Sequence, residues 1–112
     1  MIYSLDKLNE MADGDNDFIN SVVSVFLEEV PEDLGLLEKA IESRDYEPTY
    51  QLAHKIKPNV DLLGMEQTRA AAYEIESLGK QQGDFNEIDK IFKTLKVDVE
   101  QVVVELKNDF NL

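Results

Sequence analysis

From about Asn86 to Asn108, apolar side chains recur at Ile88, Phe92, Leu95, Val99, Val102 and Leu106, a seven-residue repeat in steps of four and three. That period lays an apolar stripe along one side of an α-helix, and other helices must cover such a stripe. The stretch VVVE favours a strand locally, but it lies inside the repeat and reads as helix. Helical spacing also links Phe18, Val22, Phe26, Val30, Leu34, Leu37 and Ile41, within a segment from Asp17 to Ser43. Pro31 sits inside that segment, and a bend or brief break is expected there, with the helix continuing beyond it. Ala53, Ile56, Val60 and Leu63 mark a third helix from about Glu47 to Leu63, with Pro48 in its first turn and Gly64 ending it. Ala71, Ile75 and Leu78 mark a fourth, from Glu66 to about Gln82.

The stretches DGDND, RDYEP and QQGDF separate these helices as turns. Ahead of them, SLDKLNEMA reads as a short helix, with Ser4 as its cap and Leu5, Leu8 and Met11 or Ala12 on one face. No segment alternates like a strand for long. The expected fold is all-α: an up-and-down antiparallel four-helix bundle with a short N-terminal helix packed across it. One domain over residues 1–112 accounts for the length.

Charge narrows the function classes. The chain carries 24 acidic and 11 basic residues, a formal charge of −13. Phosphate repulsion then argues against nucleic acid and against anionic membrane surfaces. There is no cysteine, hence no disulfide, thiolate metal site or cysteine nucleophile. No basic leader and no long apolar run is evident, so a cytoplasmic protein is expected; a full bundle with Met1 just before the first helix leans towards a free-standing protein, with a domain excised from a longer chain as the alternative.

Chemistry-bearing motifs are few. The residue three before the single histidine, His54, is Gln51, so the Glu-x-x-His pair of bundle metal sites is missing. A metal site built from carboxylates alone is the weakest reading, because most of the acids form solvated faces. No glycine-rich phosphate loop and no Gly-x-Ser-x-Gly nucleophile turn occurs.

What remains is His54. The core stripe of its helix passes through Ala53, so His54 stands about 100° off that stripe, at the edge of the bundle. Tyr50, Gln51, Lys57, Pro58 and Asp61 share its side of the helix. Lys55 and Lys57 make a local positive spot on an acidic chain, a place for an anion or for a group that becomes one. If Gly64 and Met65 form a tight turn between antiparallel helices, residues equidistant from Met65 lie level. His54 then faces Glu76, and Asp61 faces Arg69. A carboxylate that accepts from Nδ1–H fixes the tautomer and leaves Nε2 free as a nucleophile. A lone helical histidine is commonly just a surface residue, and the Asp61–Arg69 pair, if exposed, is worth only about 0–1 kcal/mol.

The stretch AHKIKPNVDLLG resembles the signature of histidine-containing phosphotransfer (HPt) domains. His54, Ile56, Lys57, Leu63 and Gly64 match that pattern in place, and Glu76 stands where the family keeps a polar residue 22 positions after the histidine. The resemblance spans nearly the whole chain. It implies a phosphoryl shuttle in a multistep phosphorelay, a monomer without kinase activity of its own. His54 would take the group from a receiver-domain phospho-aspartate and give it to another receiver. Glu76 would orient the imidazole, Lys57 would balance phosphate charge, and Lys55 would be a further phosphate contact. The domain would bind no cofactor, and Mg²⁺ would sit on the receiver.

Three positions depart from the family pattern: Pro58 replaces the usual glycine, and Asn59 and Asp61 replace smaller residues. Proline has no long side chain, so receiver access at Pro58 can persist, while Arg69 is available to neutralise Asp61. An apolar docking patch is expected from Leu8, Met11, Phe18 and Leu62, joined by Gln51, Asp61 and Arg69. The alternative reading is a pseudo-HPt module that binds receivers or other partners without being phosphorylated.

Overall fold

The computed structural model describes residues 2–112, so Met1 of the expected domain lies outside it. Five helices follow in order: α1 (Asp6–Ala12), α2 (Asn16–Glu42), α3 (Tyr46–Leu62), α4 (Glu66–Lys80) and α5 (Phe85–Asp109). No strand occurs among the described residues, and no described helix is long and apolar enough to cross a membrane.

The stripes that predicted the helices also join them. Val23, Val30 and Leu37 of α2 meet Ala53, Ile56 and Val60 of α3, Ala72 and Ile75 of α4, and Ile88, Leu95 and Val102 of α5 in one core. Burying each large side chain of this kind contributes about 1.5–3 kcal/mol. Helix α3 packs on α2 and α4, and α5 packs on α4 and α2, which closes a ring of contacts; α1 packs on α2.

Local chemistry sets the helix ends. Asp15 caps α2, its Oδ1 accepting from the N–H groups of Asp17 at 3.0 Å and Phe18 at 3.3 Å. Asp84 caps α5 in the same way through Asn86 N–H at 2.8 Å. Ser4 is not the N-cap of α1; Leu5 holds that position, while Ser4 Oγ accepts from Asp6 N–H at 3.2 Å. Between α3 and α4, Gly64 takes φ +67°, and a Cβ there would fall 2.9 Å from Ser4 Cβ. Glycine is therefore needed both for the left-handed turn and for the close passage of the N-terminal segment, whose Ser4 N–H donates to the Leu63 carbonyl at 2.7 Å.

Helix α2 continues through Pro31, as expected; that proline lies on the exposed side, where water can satisfy the carbonyl it leaves without a donor. The expected inner face of α4 needs correction. In α4, Ala71 and Leu78 are only half-buried; Thr68, Ala72, Ile75, Glu76 and Gly79 take the inner positions. The inner face of α4 is thus rotated from the apolar stripe towards a carboxylate and a glycine.

Candidate functional site

The short connection through Gly64 and Met65 brings α3 and α4 back alongside each other. The level pairing expected from it is present. His54 Nδ1 lies 2.7 Å from Glu76 Oε2, and Arg69 Nε lies 3.5 Å from Asp61 Oδ1. The imidazole side chain is 66% exposed, whereas Glu76 is 5% exposed. A wet ring therefore rests on a nearly dry carboxylate.

Three donors converge on that carboxylate. Lys57 Nζ donates to Oε1 at 2.7 Å, and Lys80 Nζ lies 3.2 Å from Oε2, the oxygen that also faces His54. Burial by itself pushes the Glu76 carboxyl up, but hydrogen bonds from Lys57, Lys80 and His54 outweigh it and hold the group at about 2. An ionised carboxylate can only accept, so Nδ1 carries the imidazole proton and the lone pair resides on Nε2. Two lysines against one carboxylate also leave a local excess of positive charge on a chain of net charge −13.

His54, Lys57, Tyr73, Glu76 and Lys80 line a shallow depression of about 420 Å³. Each lysine lies over an aromatic ring: Lys57 Nζ is 5.3 Å from the Tyr73 centroid, and Lys80 Nζ is 5.9 Å from that of Tyr50. Gln51 borders an adjoining depression shared with His54, and its amide donates to Glu47 Oε1 at 3.3 Å. Pro58 lies exposed inside an unbroken α3, so the helix absorbs the hydrogen bond missing at the His54 carbonyl.

Other expected residues lie elsewhere. Lys55 does not turn towards the phosphate side: its Nζ bonds Asp33 Oδ1 of α2 at 3.1 Å. Asp33 is 3% exposed, and a carboxylate so buried needs a counter-ion, which captures the lysine one helical step from His54. Leu8 is fully buried, because α1 is anchored to the core through it, so it cannot present itself to a partner. Phe18 and Leu62 are half-buried and share a groove with Val25, and Met11 is exposed. Asp61 is shared between Arg69 and Lys7, whose Nζ lies 2.8 Å away.

Lys80, Tyr73, Lys7 and Asp33 were not anticipated. The first two were within reach: Lys80 follows Glu76 by one helical turn, and both Tyr73 facing Lys57 and Lys80 facing Tyr50 obey the same reflection about Met65. Nothing in sequence spacing joins Lys7 to Asp61 or Asp33 to Lys55. Among the described residues, no group of three or more histidine or acidic side chains is arranged to hold a metal ion.

Comparisons with known proteins bear on the family and the fold. The sequence profile described as Hpt domain matches residues 21–107. The fold is similar to the crystal structure of the HPT domain from the Hpt sensor hybrid histidine kinase from Shewanella, with a TM-score of 0.85 at 18% identity, covering 98% of this chain and 94% of that one. No curated protein matches the chain.

Proposed function

The chain belongs to the Hpt domain family, and we propose that it is a phosphotransfer protein of a multistep phosphorelay, carrying the phosphoryl group on His54 between aspartates of receiver domains. The scaffold in this reading is the up-and-down antiparallel bundle of α2 to α5 with α1 laid across it. The ring of packed helix pairs supports that arrangement.

One observation carries the chemistry: an exposed imidazole whose Nδ1–H is held at 2.7 Å by a buried, ionised Glu76. In the proposed step the Nε2 lone pair attacks phosphorus of the receiver's aspartyl phosphate. The N–P bond forms as the acyl P–O bond breaks, and that bonding pair leaves with the receiver's carboxylate. The Nδ1 proton stays on the ring, and the positive charge the ring gains faces the Glu76 carboxylate. Transfer onward is the reverse step on a second receiver. The divalent cation and the in-line positioning belong to the receiver in this reading. Lys57 and Lys80 stand where they can trade part of their bond to Glu76 for the incoming phosphoryl oxygens.

The test is to mix the protein with a phosphorylated receiver. Acid-labile, base-stable phosphate is expected on the wild type and not on His54→Gln. If the wild type takes no label from any cognate receiver while still binding it, the chain is an interaction module rather than a shuttle.

A further inference from the structure

Each of the two lysines on Glu76 is clasped between that carboxylate and a tyrosine. Lys57 Nζ lies 2.7 Å from Glu76 Oε1 and 5.3 Å from the Tyr73 ring centroid. Lys80 Nζ lies 3.2 Å from Glu76 Oε2 and 5.9 Å from the Tyr50 ring centroid. The arrangement is reciprocal. In one clasp the lysine comes from α3 and the ring from α4; in the other the lysine comes from α4 and the ring from α3. His54 and Glu76 lie between the clasps along both helices.

The base of Tyr50 is fixed by close packing between the helices. A Cβ on Gly79 would fall 2.9 Å from Tyr50 Cβ and 3.3 Å from the Tyr50 backbone nitrogen. The two helices therefore touch at Tyr50, one turn before His54, and glycine is what lets them. Tyr73 is 50% exposed, and Lys57 Nζ covers part of its ring face. A lysine ammonium on a four-carbon stem has many rotamers, and a ring face restricts them without neutralising the charge.

We infer that Tyr50 and Tyr73 are positioning residues, holding Lys80 and Lys57 on opposite sides of the His54–Glu76 pair so that both ammonium groups stay at the carboxylate. Without the rings the lysines sample solvent, the carboxylate loses part of its compensation, and the phosphoryl group meets a less organised site. The kinetic consequence rests on the phosphotransfer reading; the electrostatic consequence does not. The interaction uses the ring faces, so phenylalanine serves at either position and leucine does not.

The experiment compares wild type with Tyr50→Leu, Tyr73→Leu, Tyr50→Phe and Tyr73→Phe, with helix content checked by circular dichroism. The Glu76 carboxyl is titrated by ¹³C NMR in the unphosphorylated proteins, and transfer from a phosphorylated receiver is followed over a range of receiver concentrations. The Leu variants are expected to raise the Glu76 midpoint and to lower the maximal transfer rate about two- to fivefold each, with the half-saturating receiver concentration unchanged. The Phe variants are expected to keep wild-type values of both. A Glu76 midpoint unmoved in both Leu variants overturns the inference, as does a loss confined to the half-saturating concentration, which marks docking contacts instead. If the wild type accepts no phosphoryl group, the phosphotransfer reading fails, and the titration still decides the positioning role.

Discussion

Nδ1 of His54 and Oε2 of Glu76 lie 2.7 Å apart although they are 22 positions apart in sequence and on different helices. The contact links an exposed ring to a carboxylate that is 5% exposed, so the proton location on the ring is dictated from inside the bundle. Replacing Glu76 tests this coupling. Glu76→Gln keeps an oxygen to accept from Nδ1–H but loses the charge. Glu76→Ala removes both and leaves Lys57 and Lys80 without their shared partner. Transfer from a phosphorylated receiver should fall in the order wild type, Gln, Ala, with Ala slower on the order of 10- to 100-fold. Rapid-quench rates equal in all three would refute the orienting role.

Acid should act through the same residue. The folded protein holds Glu76 at about 2, below its ordinary 4.5. A depressed carboxyl stabilises the fold above the unfolded value, and that stability is lost as pH falls from about 4.5 towards 2. Its size at neutral pH is about 3 kcal/mol. Urea unfolding between those limits should show wild type losing more stability than Glu76→Gln. Parallel curves for the two proteins would contradict the assignment.

Lys80 and Lys55 should separate in effect, since one bonds Glu76 and the other Asp33. Lys80→Ala removes a donor from the oxygen that faces His54 and should slow transfer while the bundle stays folded. Lys55→Ala instead strands Asp33, whose Oδ2 already has no hydrogen-bond partner. Its expected cost is a lower unfolding midpoint, with transfer per folded molecule unchanged. Thermal unfolding and transfer rates on both variants check this, and a Lys55 variant that unfolds like wild type but transfers slowly would reverse the assignment.

Pro58 leaves the His54 carbonyl without its helical donor, and the nearby Asn59 Nδ2 does not replace it, since its 3.4 Å bond goes to the Lys55 carbonyl. Pro58→Ala restores an N–H at that step and should stabilise the protein by about 1–3 kcal/mol. Denaturation midpoints measure it; a less stable variant would mean that the proline is matched to a local distortion.

The helices were legible because each stripe repeats at a helical period, and the ends of α3 were legible where Pro48 and Gly64 supplied a local reason, whereas the caps Asp15 and Asp84 came only from the structure. The His54–Glu76 and Asp61–Arg69 pairs were legible because a tight turn at Gly64 makes two helices mirror each other about Met65. The same mirror contained Lys57–Tyr73 and Tyr50–Lys80, hidden only because neither pair is an acid with a base. Lys55 and Leu8 misled for different reasons. A side chain one step from the histidine can point either way, and a buried aspartate on α2, not sequence proximity, decided its direction. A single leucine on a short helix gives no sign of whether it anchors that helix or faces solvent.

The most direct test of the central claim is ¹⁵N NMR of the His54 imidazole before and after phosphorylation by a receiver. The expected result is a ring protonated at Nδ1 beforehand, then phosphorus bonded to Nε2 with the Nδ1 proton retained against Glu76. Phosphorus on Nδ1, or an unmodified ring after incubation with an active phosphorylated receiver, would contradict it.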